Sequence, residues 1–265
     1  MTVVIHPTAL VDAGAKLGAG VEVGPFCTVG AGVEIGDGTR LVSHVVIAGR
    51  TTLGANNVVY PFASLGQPSP DRKYKGEDAT LVVGDGNDIR EYVTVHIGTA
   101  ADKGETRIGS RNLLMAGSHV AHDCVVGNDC ILANYVQLAG HVELGDNVVI
   151  GGLSGIHQRV RVGDHAIIGG ASAVDYDVPP YASVAGERAV LKGLNLVGLR
   201  RRGFERSLIG ALDEAYGFLF AEGDMPLAER AKDLEGRATD AEVKALAEFV
   251  LGSSRGVTGF DEGGQ

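Results

Sequence analysis

An aliphatic residue returns at every sixth position through most of this chain. The run is unbroken from Ile5 through Val11, Leu17, Val23, Val29, Ile35, Leu41, Ile47, Leu53 and Val59 to Leu65. It resumes at Val83, Ile89 and Val95. It then continues from Ile108 through Leu114, Val120, Val126, Leu132, Leu138, Leu144, Ile150, Ile156, Val162 and Ile168 to Val174. A period of six keeps no steady face on a helix of 3.6 residues per turn, so these segments are not helical. It suits short extended pieces joined by tight corners, repeated as a solenoid. The fifth position of each hexad is small or β-branched, as at Ala9, Cys27, Val45 and Cys124, and should point inward with the first. The second is often glycine, as at Gly18, Gly36, Gly84, Gly127 and Gly163, and is expected to take corner conformations with φ > 0. Three hexads would close one triangular coil, and coils would stack as parallel strands about 4.8 Å apart. The fold class expected for residues 1–188 is an all-β solenoid, a parallel β-helix.

The pattern is interrupted near residues 66–82 and 98–107, both polar and rich in Gly, Pro or charge, and these read as loops ejected from the coils. Beyond Pro179 the period changes. Leu208, Leu212, Ala215 and Leu219, and then Val243, Leu246, Ala247 and Val250, follow helical spacing. Thr239 with Glu242 reads as a capping box, and Gly252 as a helix stop. Residues 189–265 are thus expected to form a small C-terminal helical domain ending in a loose tail.

Composition narrows the function classes. Glycine supplies 40 of 265 residues, about twice the usual share of ~7%, as the corners require. The formal net charge of −10 argues against a general nucleic-acid binder, which must neutralise phosphates over a broad surface. No basic-then-apolar leader and no long apolar run is present, so the expectation is a cytoplasmic protein without a membrane span. Cys27, Cys124 and Cys130 all fall at the small fifth position, where packing explains them better than redox chemistry.

Of eight histidines, four lie in one phased region: His119, His122, His141 and His157. The hexads of Val120, Leu138 and Ile156 should stack, and their histidines His122, His141 and His157 are expected to climb one wall as a ladder. Such a ladder suits either general-base catalysis or zinc held by three histidines. The first is favoured, because Asp123 follows His122 and a carboxylate beside the base can fix its tautomer. No metal and no bound cofactor are expected.

The chain resembles the hexapeptide-repeat acyltransferases, whose solenoids are left-handed. More specifically it resembles the UDP-N-acetylglucosamine O-acyltransferases of lipid A biosynthesis, over nearly its whole length. The likeness is carried by IHPTA, SHVVIAG, DRKYKGE, NLLMAGSHVAHDC, ILAN, LAGH, DVPPYASVAG and GLRRRGF. It implies a homotrimer with sites between subunits, and transfer of a 3-hydroxyacyl group from the phosphopantetheine of acyl carrier protein to the 3-hydroxyl of a UDP-sugar. His122 would be the base, Asp123 its partner, and the Gly140 N–H the oxyanion donor. Asp71 and Lys73 match loop residues that hold acyl and nucleotide parts. His119, His141, His157 and Gln158 match substrate-contacting positions. Asn195 and Arg201 match residues that grip phosphate, and Gly170 marks the floor of the acyl tunnel. The chain departs from the family at Val197, where glutamate is common. Arg200–Arg202 stand out in an acidic chain and suggest docking of acidic acyl carrier protein. Rival readings are N-acylation of a UDP-3-amino sugar, the later N-acyltransferase of the same pathway, a zinc carbonic anhydrase-like trimer, and a purely structural β-helix.

Overall fold

The computed structural model describes residues 2–260. Among the described residues, sheets of eleven, nine and eight strands form three walls, parallel throughout except for the last strand of the eleven, and the chain visits them in turn. In the first coils Val4 pairs with Glu22, Leu10 with Thr28 and Lys16 with Glu34, so each wall advances by 18 residues per coil. Where loops intervene the walls stay in register, as in the pairing of Val59 with Ile89. First- and fifth-position side chains fill the interior: Leu41, Ile47, Leu65, Ile89, Leu114, Leu138 and Ile150 are all within 1% of full burial. The first coil is an open end, and Val4, Ile5 and Leu10 remain exposed there. The three cysteines are free and buried, and burial pushes the Cys124 and Cys130 thiols up to about 12. They are packing groups.

The corners differ from expectation in an instructive way. Left-handed backbone falls at the fourth position of the hexad, mostly on residues other than glycine, such as Phe62, Tyr92, Asp123, His141 and Arg159. The second-position glycines answer a steric demand instead. A β-carbon on Gly18 would come within 2.3 Å of Asp37 Oδ1, and one on Gly145 within 2.0 Å of Asp164 Oδ1.

Each corner has its own character. At the third-to-first corner, a polar side chain from each coil accepts the N–H of the coil before. Asp37 accepts from Ala19, Asp85 from Ala55, Asn128 from Ser110, Asp146 from Asn128 and Asp164 from Asp146, all at 2.7–2.9 Å. The first-to-second corner carries an exposed aromatic column, in which Phe26, His44, Phe62 and Tyr92 stack with ring centroids 4.9–5.1 Å apart. Both ejected loops leave at the second-to-third corner. They are shorter than the sequence suggests, because strands Ser64–Gln67, Thr80–Val83, Thr94–His96 and Glu105–Ile108 claim their ends.

A hairpin, Ala182–Ala185 with Val190–Leu194, closes the last coil. Four helices follow: α1 (Leu196–Arg201), α2 (Arg206–Leu219), α3 (Leu227–Arg237) and α4 (Ala241–Leu251). The expected capping box does not form. Asp240 is the N-cap of α4 and makes no side-chain cap bond, while Gly252 ends the helix as expected. The segment after it is not loose. Asp177 donates its N–H to Gly256 O at 3.0 Å, Thr258 donates to Asp177 O at 2.7 Å, and Leu191 donates to Gly259 O at 2.7 Å. These bonds satisfy strand edges that the last coil would otherwise leave open. Residues 261–265 of the expected tail lie outside the described residues.

Candidate active site

The second-to-third corner gathers the candidate chemistry. The hexads of Val120, Leu138 and Ile156 stack there as the period implies, since His119 pairs with Gln137 and Gln137 with Gly155. Their histidines do not form one ladder. Second, third and fourth hexad positions leave the turning backbone in different directions, so only residues at equal positions lie in one column. His122 stands over Gly140 and Gln158, His141 shares a column with Asp123 and Arg159, and His157 shares one with Ala121 and Ala139. Two of the rings still meet across columns: His122 and His141 lie edge to face with centroids 4.9 Å apart.

His122 Nδ1 is 2.8 Å from Asp123 Oδ2, and the Asp123 side chain is fully buried. Asp123 also accepts from the Thr99 N–H at 2.9 Å and the Thr99 hydroxyl at 2.7 Å, while its own N–H donates to Thr106 Oγ1 at 2.8 Å. Burial alone would raise its carboxyl, but the two Thr99 donors and His122 outweigh it and hold the group below the ordinary carboxylate value. An ionised Asp123 takes the proton of Nδ1 as a hydrogen bond, leaving the lone pair of Nε2 free. The Gly140 N–H has no hydrogen-bond partner among the described residues, because this corner lacks the capping side chains of the third-to-first corner.

Thr99 and Asp102 come from the loop between Thr94–His96 and Glu105–Ile108. Asp102 bonds His141 Nδ1, and Lys103 pairs with Glu143. Nothing in the sequence marked Thr99 or Asp102, because a loop has no period to place them, and Thr106 lies in strand Glu105–Ile108, whose start the sequence suggests is loop. His96 was also missed. It lies 5.0 Å from the His119 ring, and burial with two neighbouring imidazoles lowers it to about 4, so it is neutral at ordinary pH. His119 bonds Thr94 Oγ1 at 2.8 Å and is likewise lowered, chiefly by burial.

The remaining candidates are spread more widely. Asp71 and Lys73 sit in the other ejected loop at this same corner, where the Asp71 carboxylate accepts the Lys73 N–H at 2.9 Å; their bonds are local and do not reach the histidines. His157 and Gln158 lie one coil beyond Gly140 and contact Arg255. Gly170 lies exposed at the first-to-second corner, not at the corner of His122. Asn195 is 5% exposed and fully engaged: its side-chain oxygen caps α1 at the Gly198 N–H, and its amide donates to His165 O. Arg200 and Arg201 are exposed in α1, whereas Arg202 bonds Asn147. His122, Asp123 and His141 have donor atoms close enough for a cation, but one would have to displace the bonds that Asp123 accepts from Thr99 and His122.

Residues 177–258 match the family described as UDP-N-acetylglucosamine O-acyltransferase, domain 2, and residues 14–49 and 105–140 match the bacterial transferase hexapeptide repeat. A UDP-N-acetylglucosamine O-acyltransferase from Moraxella catarrhalis is 42% identical, with a TM-score of 0.91 over 97% of this chain and 100% of that one. A UDP-N-acetylglucosamine acyltransferase from Campylobacter jejuni is 40% identical, with a TM-score of 0.92 over 97% and 100%. The chain belongs to the UDP-N-acetylglucosamine O-acyltransferase family. It is an acyltransferase built on hexapeptide repeats. A UDP-N-acetylglucosamine acyltransferase from Arabidopsis is 37% identical, with a TM-score of 0.84 over 96% and 100% of the two chains. The Moraxella, Campylobacter and Arabidopsis matches span nearly the whole chain, and the zinc and structural readings are not favoured by them. Among the described residues no helix is long and apolar enough to cross a membrane.

Proposed function

We propose that this enzyme, as a left-handed parallel β-helix (residues 1–188) with a C-terminal helical unit (residues 189–265), transfers a 3-hydroxyacyl group from acyl carrier protein to UDP-N-acetylglucosamine. This is the opening step of lipid A synthesis, in the cytoplasm. The observation that carries the reading is the His122–Asp123 pair set over the unpaired N–H of Gly140. His122 Nε2 removes the proton of the sugar 3-hydroxyl as its oxygen attacks the thioester carbonyl. The Gly140 N–H stabilises the tetrahedral oxyanion. The C–S bond then breaks, and the imidazolium returns its proton to the departing phosphopantetheine thiolate. Asp123 orients the ring and stabilises its charge without taking the proton.

The other contacts follow from the corner. His119, His141, His157 and Gln158 bind the sugar nucleotide or pantetheine along the wall, and Asp71 and Lys73 reach in from their loop. Arg201 meets phosphate, and Asn195 acts by holding the start of α1 under it. Gly170 and His122 lie at different corners of one chain, so a tunnel joining them requires a neighbouring subunit. A homotrimer supplies one. The exposed surface that invites association is the aromatic column continued by Tyr135 and Leu153. No cofactor beyond the carrier's phosphopantetheine is needed. Mass spectrometry of products from defined acyl carrier protein thioesters, offered both UDP-N-acetylglucosamine and its 3-amino analogue, tests the assignment. An O-acylated product supports it. Acylation of the amine alone would make the enzyme an N-acyltransferase.

A further inference from the structure

The segment after α4 crosses the last coil, where Arg255 reaches the active-site corner, and ends against strand Val190–Leu194. Asp177, 1% exposed, anchors it: Ser253 Oγ donates to Asp177 Oδ2 at 2.8 Å, and the backbone of Gly256 and Thr258 pairs with that of Asp177. These anchors leave the Arg255 side chain free to do something else. Its guanidinium donates from Nε to Asp175 O, from one terminal nitrogen to Gln158 O at 3.0 Å, and from the other to His157 Nδ1 at 2.8 Å.

A guanidinium is always protonated and can only donate. His157 Nδ1 must therefore present its lone pair to Arg255. Gln158 O, 3.2 Å from Nδ1, is an acceptor that an Nδ1 proton could reach, but the Arg255 donor at 2.8 Å leaves no place for that proton. With Nδ1 bare, the neutral ring carries its proton on Nε2. That ring lines an open groove of about 350 Å³ on the second wall, together with His119, Gln137 and Gly155. The carboxylate of Asp175, also on the groove, is held by Arg188 at 2.7 Å.

We propose that Arg255 is a positioning residue, which holds His157 as its Nε2-protonated tautomer so that the ring offers one fixed N–H donor to the sugar nucleotide. The inference rests on the reading of His157 as a substrate contact. It assigns a task in the reaction to a residue outside both the repeat and the histidine-bearing motif.

The test uses the full-length enzyme labelled with ¹⁵N-histidine, with the His157 signals assigned by their loss in His157→Ala. In the wild type, Nδ1 should resonate as an unprotonated nitrogen and Nε2 as a protonated one. In Arg255→Ala the two should average, because Nδ1–H can then donate to Gln158 O. The Michaelis constant for UDP-N-acetylglucosamine should rise about tenfold, the scale of one lost hydrogen bond, with little change in turnover. Adding Arg255→Ala to His157→Ala should cost nothing further. Arg255→Met keeps the aliphatic stem and carries the same test if the alanine variant folds poorly. A protonated Nδ1 in the wild type, an unchanged tautomer on removal of Arg255, or multiplicative kinetic losses would each overturn the proposal. Unchanged kinetics in His157→Ala would overturn its premise instead, and the nitrogen signals tell the two failures apart.

Discussion

The ring of His122 occupies the space that a side chain on Gly140 would need: a β-carbon there would lie 2.7 Å from Cε1 and 2.8 Å from Nε2 of the imidazole. One glycine therefore serves two ends. It leaves room for the His122 ring, and it presents a free N–H where the proposed mechanism puts the oxyanion. The backbone at residue 140 is not left-handed, so alanine meets no conformational penalty there. Gly140→Ala should fold normally while its methyl pushes His122 off the Asp123 pair. Turnover should fall by about 10²–10³-fold, the scale of a misplaced catalytic group, with only the small fall in melting temperature that loss of one bond to Asp123 brings. A variant with wild-type turnover would show that His122 has other room to work in.

Thr99→Val removes the hydroxyl bond to Asp123 and keeps the backbone one. Turnover should drop about tenfold. The Thr99 hydroxyl also helps hold the Asp123 carboxyl below its ordinary value. Stability gained from a depressed carboxyl is present above its unfolded value and is lost as pH falls through the folded one. The wild type should therefore exceed Thr99→Val in stability at neutral pH, and the gap should shrink in acid. A gap independent of pH would remove the ionic explanation. Asp123→Asn should cost less than loss of His122, because Asp123 orients and does not abstract; a larger loss would reverse their roles.

Arg200 and Arg201 extend into solvent, while Arg202 is tied to Asn147. Replacing Arg200 and Arg201 by alanine should raise the Michaelis constant for acyl carrier protein, most strongly at low salt. Replacing Arg202 should act mainly on stability. Carrier kinetics unchanged at low salt in the double variant would end the docking assignment.

Gly170→Met should move preference toward shorter 3-hydroxyacyl donors. Each methylene excluded from the tunnel forfeits about 0.8 kcal/mol. A β-carbon at residue 170 would approach Gly152 O at 3.3 Å, so a small backbone adjustment accompanies the change. Equal loss on every chain length would mean that this glycine supports the coil and measures nothing.

The hexads from Ile5 to Val174 made the three-walled stack readable, because each buried first position is a separate report of one period. They did not place the site histidines: the expected ladder of His122, His141 and His157 fails, because only residues that differ by whole coils, such as His122, Gly140 and Gln158, stand one above another. What the period could not carry was lost. Thr99 and Asp102 belong to a loop whose bonds to Asp123 and His141 are purely tertiary. Helix α3 escaped because its buried stripe includes Arg230, whose guanidinium donates to Leu219 O and Gly223 O and closes the end of α2. An arginine in a core position disguises a helical pattern. Asn195 was read as a ligand contact from its motif, yet its amide is spent within the fold.

The general-base role of His122 is tested most directly by steady-state turnover of His122→Ala, with a 3-hydroxyacyl carrier thioester and UDP-N-acetylglucosamine as substrates. Folding is checked by thermal melting, and the product by mass. The proposed mechanism predicts a fall in kcat of about 10²–10⁴-fold in a normally folded protein. Wild-type turnover in that protein would contradict it.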